Sequence, residues 1–280
     1  MWSETERLAP GTYLNSLIGQ QQAPVHSWGV ITQPMPATVR KDIPAVIPDI
    51  LYEDNHLLVV NKPPCIPVQN DQTGDPSMID VLKAFVIKRD RKPGDAFITP
   101  AHRIDRPASG IVVFAKTSKA ASRLGEQFRE GVPDKQYLVW LEPREDLAVA
   151  GAVPTLPDSG ELRDLIVKRP GGSSYITTRP QPEAKDSHLS YNVEKRGDKR
   201  VLVRVQLGTG RHHQIRVQFS SRGWSVVGDK RYGTKRALPD KSIALHAHRM
   251  SLRHPISGET LSFEAPPPAT WLAWGPKTGR

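Results

Sequence analysis

Cysteine is nearly absent from this chain: Cys65 is the only one in 280 residues. No intrachain disulfide can form, and a cysteine-rich metal site is excluded. No apolar stretch approaches the roughly 20 residues needed to span a bilayer. The opening MWSETERLAPGTYL lacks the basic and apolar regions of a secretory signal. No internal repeat is found, and neither an HExxH motif nor a Cys/His spacing for zinc occurs. These absences favour a soluble protein of a reducing compartment, and the cytoplasm is expected. Acidic residues are also in deficit, with 29 Asp+Glu against 39 Lys+Arg.

The resulting formal net charge is +10, with a sequence pI near 9.8. Residues 191–254 hold 15 Lys/Arg against 4 Asp/Glu, a local balance of +11 that accounts for the whole excess. A basic surface of this size suggests a polyanionic partner. Nucleic acid ranks before membrane, because no basic amphipathic helix stands out. The length fits one large domain or two small ones, enough to bury a real core.

Residues 1–45 are rich in Pro and Gln and carry little periodic pattern, so they read as an arm or small appendage to a main domain over 46–275. "ILYEDNHLLVVNKPPCIPV" then reads as strand, turn, strand and a Pro-Pro loop. Ser77 to Asp80 has the form of a capping box, followed by Val81, Leu82, Phe85 and Val86 at helical spacing. Ile111 to Lys116 reads as a buried strand. Ser118 is placed as the cap of a helix with Ala121, Leu124 and Phe128 inward, ended by Gly131. "KQYLVWLEP" and "KRVLVRVQL" are strands, the second half-buried through Val201, Val203, Val205 and Leu207. Residues 143–190 hold many Pro and Gly and read as a loop-rich excursion or small subdomain. "GTGRHHQIRVQF" is open between helix and strand, and two more strands are expected around 243–252 and 260–265. Strand-rich stretches joined largely by turns imply an α+β fold with a mostly antiparallel sheet.

In "HRIDRPASG", residues 102–110, Asp105 stands between Arg103 and Arg106, just ahead of a Ser-Gly pair and a buried strand. A surface ion pair would explain it, and so would a reactive carboxylate at a strand end. HRID differs from the kinase run H-R-D by an inserted Ile104, and no Gly-rich phosphate loop or D-F-G accompanies it. "GTG" at 208–210 lacks the third glycine of a dinucleotide fingerprint. His212, His213, His246, His248 and His254 invite a metal, but their spacing suits RNA contacts or core hydrogen bonds better. A second basic element, Gly210 to Arg216, also follows a strand. Buried together, an Asp and an Arg would hold the Asp ionised at neutral pH.

These stretches resemble the RluA-type pseudouridine synthases. "HRIDRPASGIVVFAKT" is similar to that family's H-R-L-D-x-x-T-S-G, "KQYLVWL" to its K-x-Y strand and "GTGRHHQIRVQF" to its T-G-R-x-H-Q-I-R. "LYEDNHLLVVNKPPCIPV", "GDKRYG" and "ALHAHRMSLRHPISGE" resemble further landmarks, in family order over about 46–268. Ile104 replaces the usual Leu, Ala108 the usual Thr, and Gln218 stands where a His is common. Residues 1–45 do not resemble the small RNA-binding domain that some relatives carry.

The resemblance implies a mostly antiparallel mixed sheet with flanking helices and a central RNA-binding cleft. It also implies isomerisation of uridine to pseudouridine in ribosomal or transfer RNA, with no cofactor and no metal. Asp105 would either attack C1′ or take a proton from C2′. Arg216, more than a hundred residues away, would hold that aspartate ionised. Tyr137 would stack on the flipped base and help remove the C5 proton. Arg103 would fill the vacated space, Arg211 would hold phosphate, and Leu245 would pack on the base. Arg106 and His213 are also placed at the RNA. His102 is expected to brace its loop through a hydrogen bond, and a monomer with no membrane association is expected. A non-catalytic RNA-binding module on the same fold is the rival, and a metal-dependent nuclease the third possibility.

Overall fold

The computed structural model describes residues 48–91, 93–147 and 155–274; the arm expected over 1–45 lies outside them. β1 (Asp49–Glu53) and β2 (Leu57–Lys62) form an antiparallel hairpin. Its turn is pinned by Asp54, whose Oδ1 accepts from the backbone N–H groups of His56 and Leu57, both at 2.7 Å. α1 (Met78–Arg89) starts at the Ser77–Asp80 capping box, which is present in full. A two-residue strand, β3 (Thr99–Pro100), precedes the loop 101–108.

β4 (Ser109–Ala115) is buried along its whole length. Its residues alternate between two cores. Ile111 and Val113 face Leu57, Val59 and Leu124 on one side; Val112 and Phe114 face Leu58, Val60, Met78 and Leu82 on the other. α2 (Ser118–Glu130) is capped by Thr117, one residue ahead of the expected Ser118, because the Thr117 hydroxyl is the one that accepts from Ala120 N. Gly131, left-handed at φ 75°, ends it.

β5 (Asp134–Pro143) leads into the stretch expected to be loop-rich. That stretch instead holds β6 (Ser159–Lys168), β7 (Ser174–Thr177) and the start of β8 (Lys185–Arg196). β6 pairs with β8 without interruption from Ser159↔Asn192 to Ile166↔Lys185. Pro170, Pro180 and Pro182 all fall in the turns between these strands, where a missing N–H costs no ladder bond. β9 (Val201–Leu207) is half-buried, with the expected residues inward.

The ambiguous segment resolves as a short helix, α3 (Gln214–Ser220), every residue of which is buried. The Gln214 amide ties the preceding turn, accepting from Thr209 Oγ1 at 2.8 Å and Arg211 N at 3.0 Å while donating to the His188 carbonyl. A strand could not make that local closure. β10 (Trp224–Val226), β11 (Leu245–Arg253) and β12 (Thr260–Glu264) complete the elements.

All of these strands join one sheet, ordered β1-β2-β4-β11-β5-β9-β8-β6-β7, with β3 on β4, β10 on β5 and β12 on β11. Every pairing is antiparallel except β4 with β11. At that parallel contact Gly110 (φ 114°) lies opposite Ala247, and a Cβ at Gly110 would collide with the Ala247 backbone. The glycine after Ser109 is therefore a packing requirement. No described helix is long and apolar enough to cross a membrane.

Candidate active site

The loop 101–108 enters the sheet at its centre, where β4, β11 and β5 are neighbours. Three contacts fix its course. Ala108 N donates to Asp105 O at 3.0 Å, Ile243 N donates to Pro107 O at 3.1 Å, and the Arg106 carbonyl accepts from both Cys65 N and Lys62 Nζ. Lys62 is fully buried, and its Nζ also donates to the carbonyls of Pro63 and Ile66. Burial pulls its pKa down to about 7, against the opposing pull of Cys65 and Asp105. His102 stacks on Phe128 with 4.7 Å between centroids and accepts from Val113 N at 3.2 Å, the bracing role expected of it. Burial lowers its pKa to about 3, so the ring is neutral.

Asp105 faces Arg216 from α3, whose Nη1 donates to Asp105 Oδ2 at 2.8 Å. The guanidinium is 4 % exposed and is gripped from behind by Asp229, Nε to Oδ2 at 2.6 Å and Nη2 to Oδ1 at 2.9 Å. It also lies over the Tyr232 ring at 5.0 Å. Burial alone would lower the Arg216 pKa, but the Asp229 and Asp105 carboxylates outweigh it and raise the value. One buried cation thus serves two carboxylates. Asp229 (1 % exposed) faces only the protein, while the Asp105 side chain keeps 21 % exposure. Among the described residues Asp105 Oδ1 has no hydrogen-bond partner, so that oxygen is available to a ligand.

Tyr137 rises from β5 into the same space, buried to 8 % exposure. Burial first, and the Asp105 carboxylate second, push its phenol pKa up, so the hydroxyl stays protonated at neutral pH. Leu245, at the start of β11, is buried in the same apolar cluster as Tyr137. Asp105 from the loop, Tyr137 from β5, and Arg216 and His213 from α3 and its N-cap are gathered here, with Asp229 and Tyr232 behind Arg216 and Leu245 of β11 in the apolar cluster that holds Tyr137.

The arginines divide. Arg103 is exposed and makes no ion pair or hydrogen bond with any described residue. Arg211 is exposed and uses only Nε internally, on the Asp186 carbonyl at 2.8 Å. Arg106, expected at the RNA, is committed within the protein. Its Nη2 bonds Asp75, Nη1 reaches Thr73 Oγ1 at 2.9 Å and Asp71 at 3.5 Å, and Nε reaches the Cys65 carbonyl at 3.1 Å. In the free protein its guanidinium is thus already matched by two carboxylates.

A conserved-domain model for RNA pseudouridylate synthase matches residues 56–221. The chain belongs to that family. It is 31 % identical over 227 residues to the dual-specificity RNA pseudouridine synthase RluA of Haemophilus influenzae, covering 78 % of this chain and 92 % of that protein. To the ribosomal large subunit pseudouridine synthase C of Escherichia coli it is 32 % identical over 225 residues, 78 % of this chain and 66 % of the relative. The fold agrees with that of human RNA pseudouridylate synthase domain containing 4, with a TM-score of 0.63 over 80 % of this chain and 90 % of that one at 22 % identity. The α+β pseudouridine synthase fold and an isomerase activity on RNA follow.

Within this family member, Asp229, Tyr232, Lys62 and Ser174 received no role from the sequence. "GDKRYG" holds the first two, and an acid inside a glycine-bounded turn was the available signal. Lys62 sits in an apolar strand before two prolines, and full burial of such a lysine has no sequence signature. Ser174 lies in the stretch read as a loop-rich excursion or small subdomain, which holds β7.

Proposed function

We propose that Asp105 is the reacting carboxylate of this RNA pseudouridine synthase and that its substrate is a flipped-out uridine of ribosomal or transfer RNA. The observation that carries the proposal is the asymmetry of the carboxylate: Oδ2 is bound by the buried Arg216, Oδ1 has no partner among the described residues, and the carboxylate is close enough to Tyr137 to act on its phenol. An ionised, positioned acid suits both routes to the product. In one, the carboxylate attacks C1′ as the N1–C1′ bond breaks. In the other, it takes the C2′ proton and a glycal forms. The freed uracil then rotates and C5 bonds to C1′, displacing the carboxylate in the first route and with the proton returned to C2′ in the second. The C5 proton then leaves and N1 gains one. Atoms balance without an external oxidant or energy source.

The protonated phenol of Tyr137 supports stacking and hydrogen bonding to the base over proton removal by a phenolate. Arg103 and Arg211, both exposed and each two residues from Asp105 or His213 in the chain, are the phosphate and strand-separating contacts, and Leu245 closes the apolar side. Residues 46–275 form the catalytic domain and act as a monomer in the cytoplasm. The name of the Escherichia coli relative supports large-subunit ribosomal RNA as the substrate, with transfer RNA as the alternative.

Tritium release from C5-labelled RNA, with wild type and Asp105→Ala, tests the assignment. Wild type releases tritium and Asp105→Ala does not. RNA binding by both proteins with no release from either would leave a non-catalytic binding module. Mapping pseudouridine across total RNA with and without the gene identifies the target uridine.

A further inference from the structure

His213 occupies a conformation that needs explaining. Its backbone is left-handed (φ 54°, ψ 25°), uncommon for a residue with a Cβ, and it offers no side-chain cap to the helix that follows. The imidazole is instead held on three sides. It stacks on His212 with 3.8 Å between centroids, and its Nδ1 lies 2.8 Å from the Tyr232 hydroxyl. Its Nε2 points at Asp105 Oδ2 from 3.9 Å. Ser174 N–H donates into the Tyr232 phenolic oxygen at 2.7 Å, which leaves the phenol's own proton for His213 Nδ1. In that arrangement the ring proton sits on Nε2, facing the carboxylate.

We propose that His213 is a positioning residue for Asp105, its Nε2–H directed at Oδ2 by the Ser174–Tyr232–His213 relay so that Oδ1 is the oxygen presented to the nucleotide. This rests on Asp105 being the reacting group. Burial lowers the His213 pKa to about 3, with Arg216 acting in the same direction against the opposing pull of Asp105. A cationic phosphate contact is the role such a ring is least suited to. At 3.9 Å the contact is electrostatic in the free protein. Hydrogen bonds of this kind tighten when substrate seats. The relay begins at Ser174 in β7, so the β6–β7 hairpin helps set the aim of the Asp105 carboxylate.

Two substitutions separate positioning from backbone geometry. Glutamine can place an amide N–H near the Nε2 position. Asparagine is too short for that but tolerates the left-handed backbone best. In single-turnover tritium release on the full chain, His213→Gln is expected to stay within about tenfold of the wild-type rate. His213→Asn is expected to lose about 100-fold, the scale of a misplaced catalytic group, with KM unchanged in both. The wild-type ring should show an Nε2-protonated neutral tautomer in its 15N NMR signals at pH 7, a signature that Tyr232→Phe disturbs. Asn outperforming Gln, equal rates for the two, a rise in KM at unchanged kcat, or an Nδ1-protonated or cationic ring would each overturn the proposal. Asp105→Asn is the separate control. If it retains activity, the assignment of Asp105 fails, whatever the His213 variants do.

Discussion

Asp229→Asn removes one charge and almost no volume from the position behind Arg216. In the wild type the guanidinium is 4 % exposed and balanced by two carboxylates, of which Asp229 is 1 % exposed and doubly hydrogen-bonded at 2.6 and 2.9 Å. Breaking a buried pair by removing one partner costs about 3–5 kcal/mol, because the remaining charge is left in a poor solvent. Asp105 still neutralises Arg216, and the asparagine oxygen can accept one of the two lost bonds, so the lower end, about 3 kcal/mol, is expected. The activity change should exceed what stability alone explains. With Asp229 neutral, Arg216 is drawn toward Asp105 and loses the anchor that fixes its plane, and a misplacement on the order of 1 Å costs about 100-fold in rate. Urea denaturation gives the first quantity and single-turnover tritium release at saturating protein gives the second. As a reference, Arg163→Gln breaks the exposed Arg163–Glu161 pair and should cost at most about 1 kcal/mol with no rate change. If Asp229→Asn unfolds at the same urea concentration as wild type and turns over at the same rate, the two-carboxylate account of Arg216 is wrong.

Acid should weaken the fold well above the carboxylate range. Burial holds His102 and His213 near pKa 3 and His246 near 4, all below the ordinary 6.5. The stability carried by the neutral rings is complete above pH 6.5 and is lost as pH falls toward those values, about 2 kcal/mol for each at pH 5. Equal urea midpoints at pH 7 and pH 5 would contradict this. Gly110→Ala forces a methyl group into the Ala247 backbone at positive φ and is expected to cost more than about 3 kcal/mol, read from the same denaturation curves. Arg103→Gln and Arg211→Gln should each lower the salt dependence of RNA binding by about one unit of slope. Arg106→Gln should leave that slope unchanged, because its guanidinium already faces Asp71 and Asp75; a drop equal to that of Arg103→Gln would restore it as a phosphate contact.

What was legible follows from the range over which each interaction acts. The Ser77 capping box, the alternation of β9 and the glycine end of α2 are decided by neighbours within four residues, and all three could be read from the chain. β6 to β8 were hidden because their turns carry the prolines while charged and polar residues interrupt the apolar ones in β6 and β8, so the texture reads as loop-rich until the pairing partner is known. α3 was undecidable for a related reason: seven buried residues suit either periodicity, and the deciding contact is the Gln214 amide closing on Thr209 and Arg211. At the site, motif resemblance brought Asp105, Tyr137 and Arg216 into view, but resemblance does not distinguish a cation free for RNA from one already matched. Arg103 and Arg106 flank the same aspartate, and only the fold shows that the 69–76 loop lays Asp71 and Asp75 against Arg106 while no described carboxylate pairs with Arg103. The same limit explains Asp229 and His213. A buried charge and a left-handed histidine are both costly in isolation, and each becomes intelligible only with the groups that face it: Arg216 for the first, and Tyr232 and Asp105 for the second.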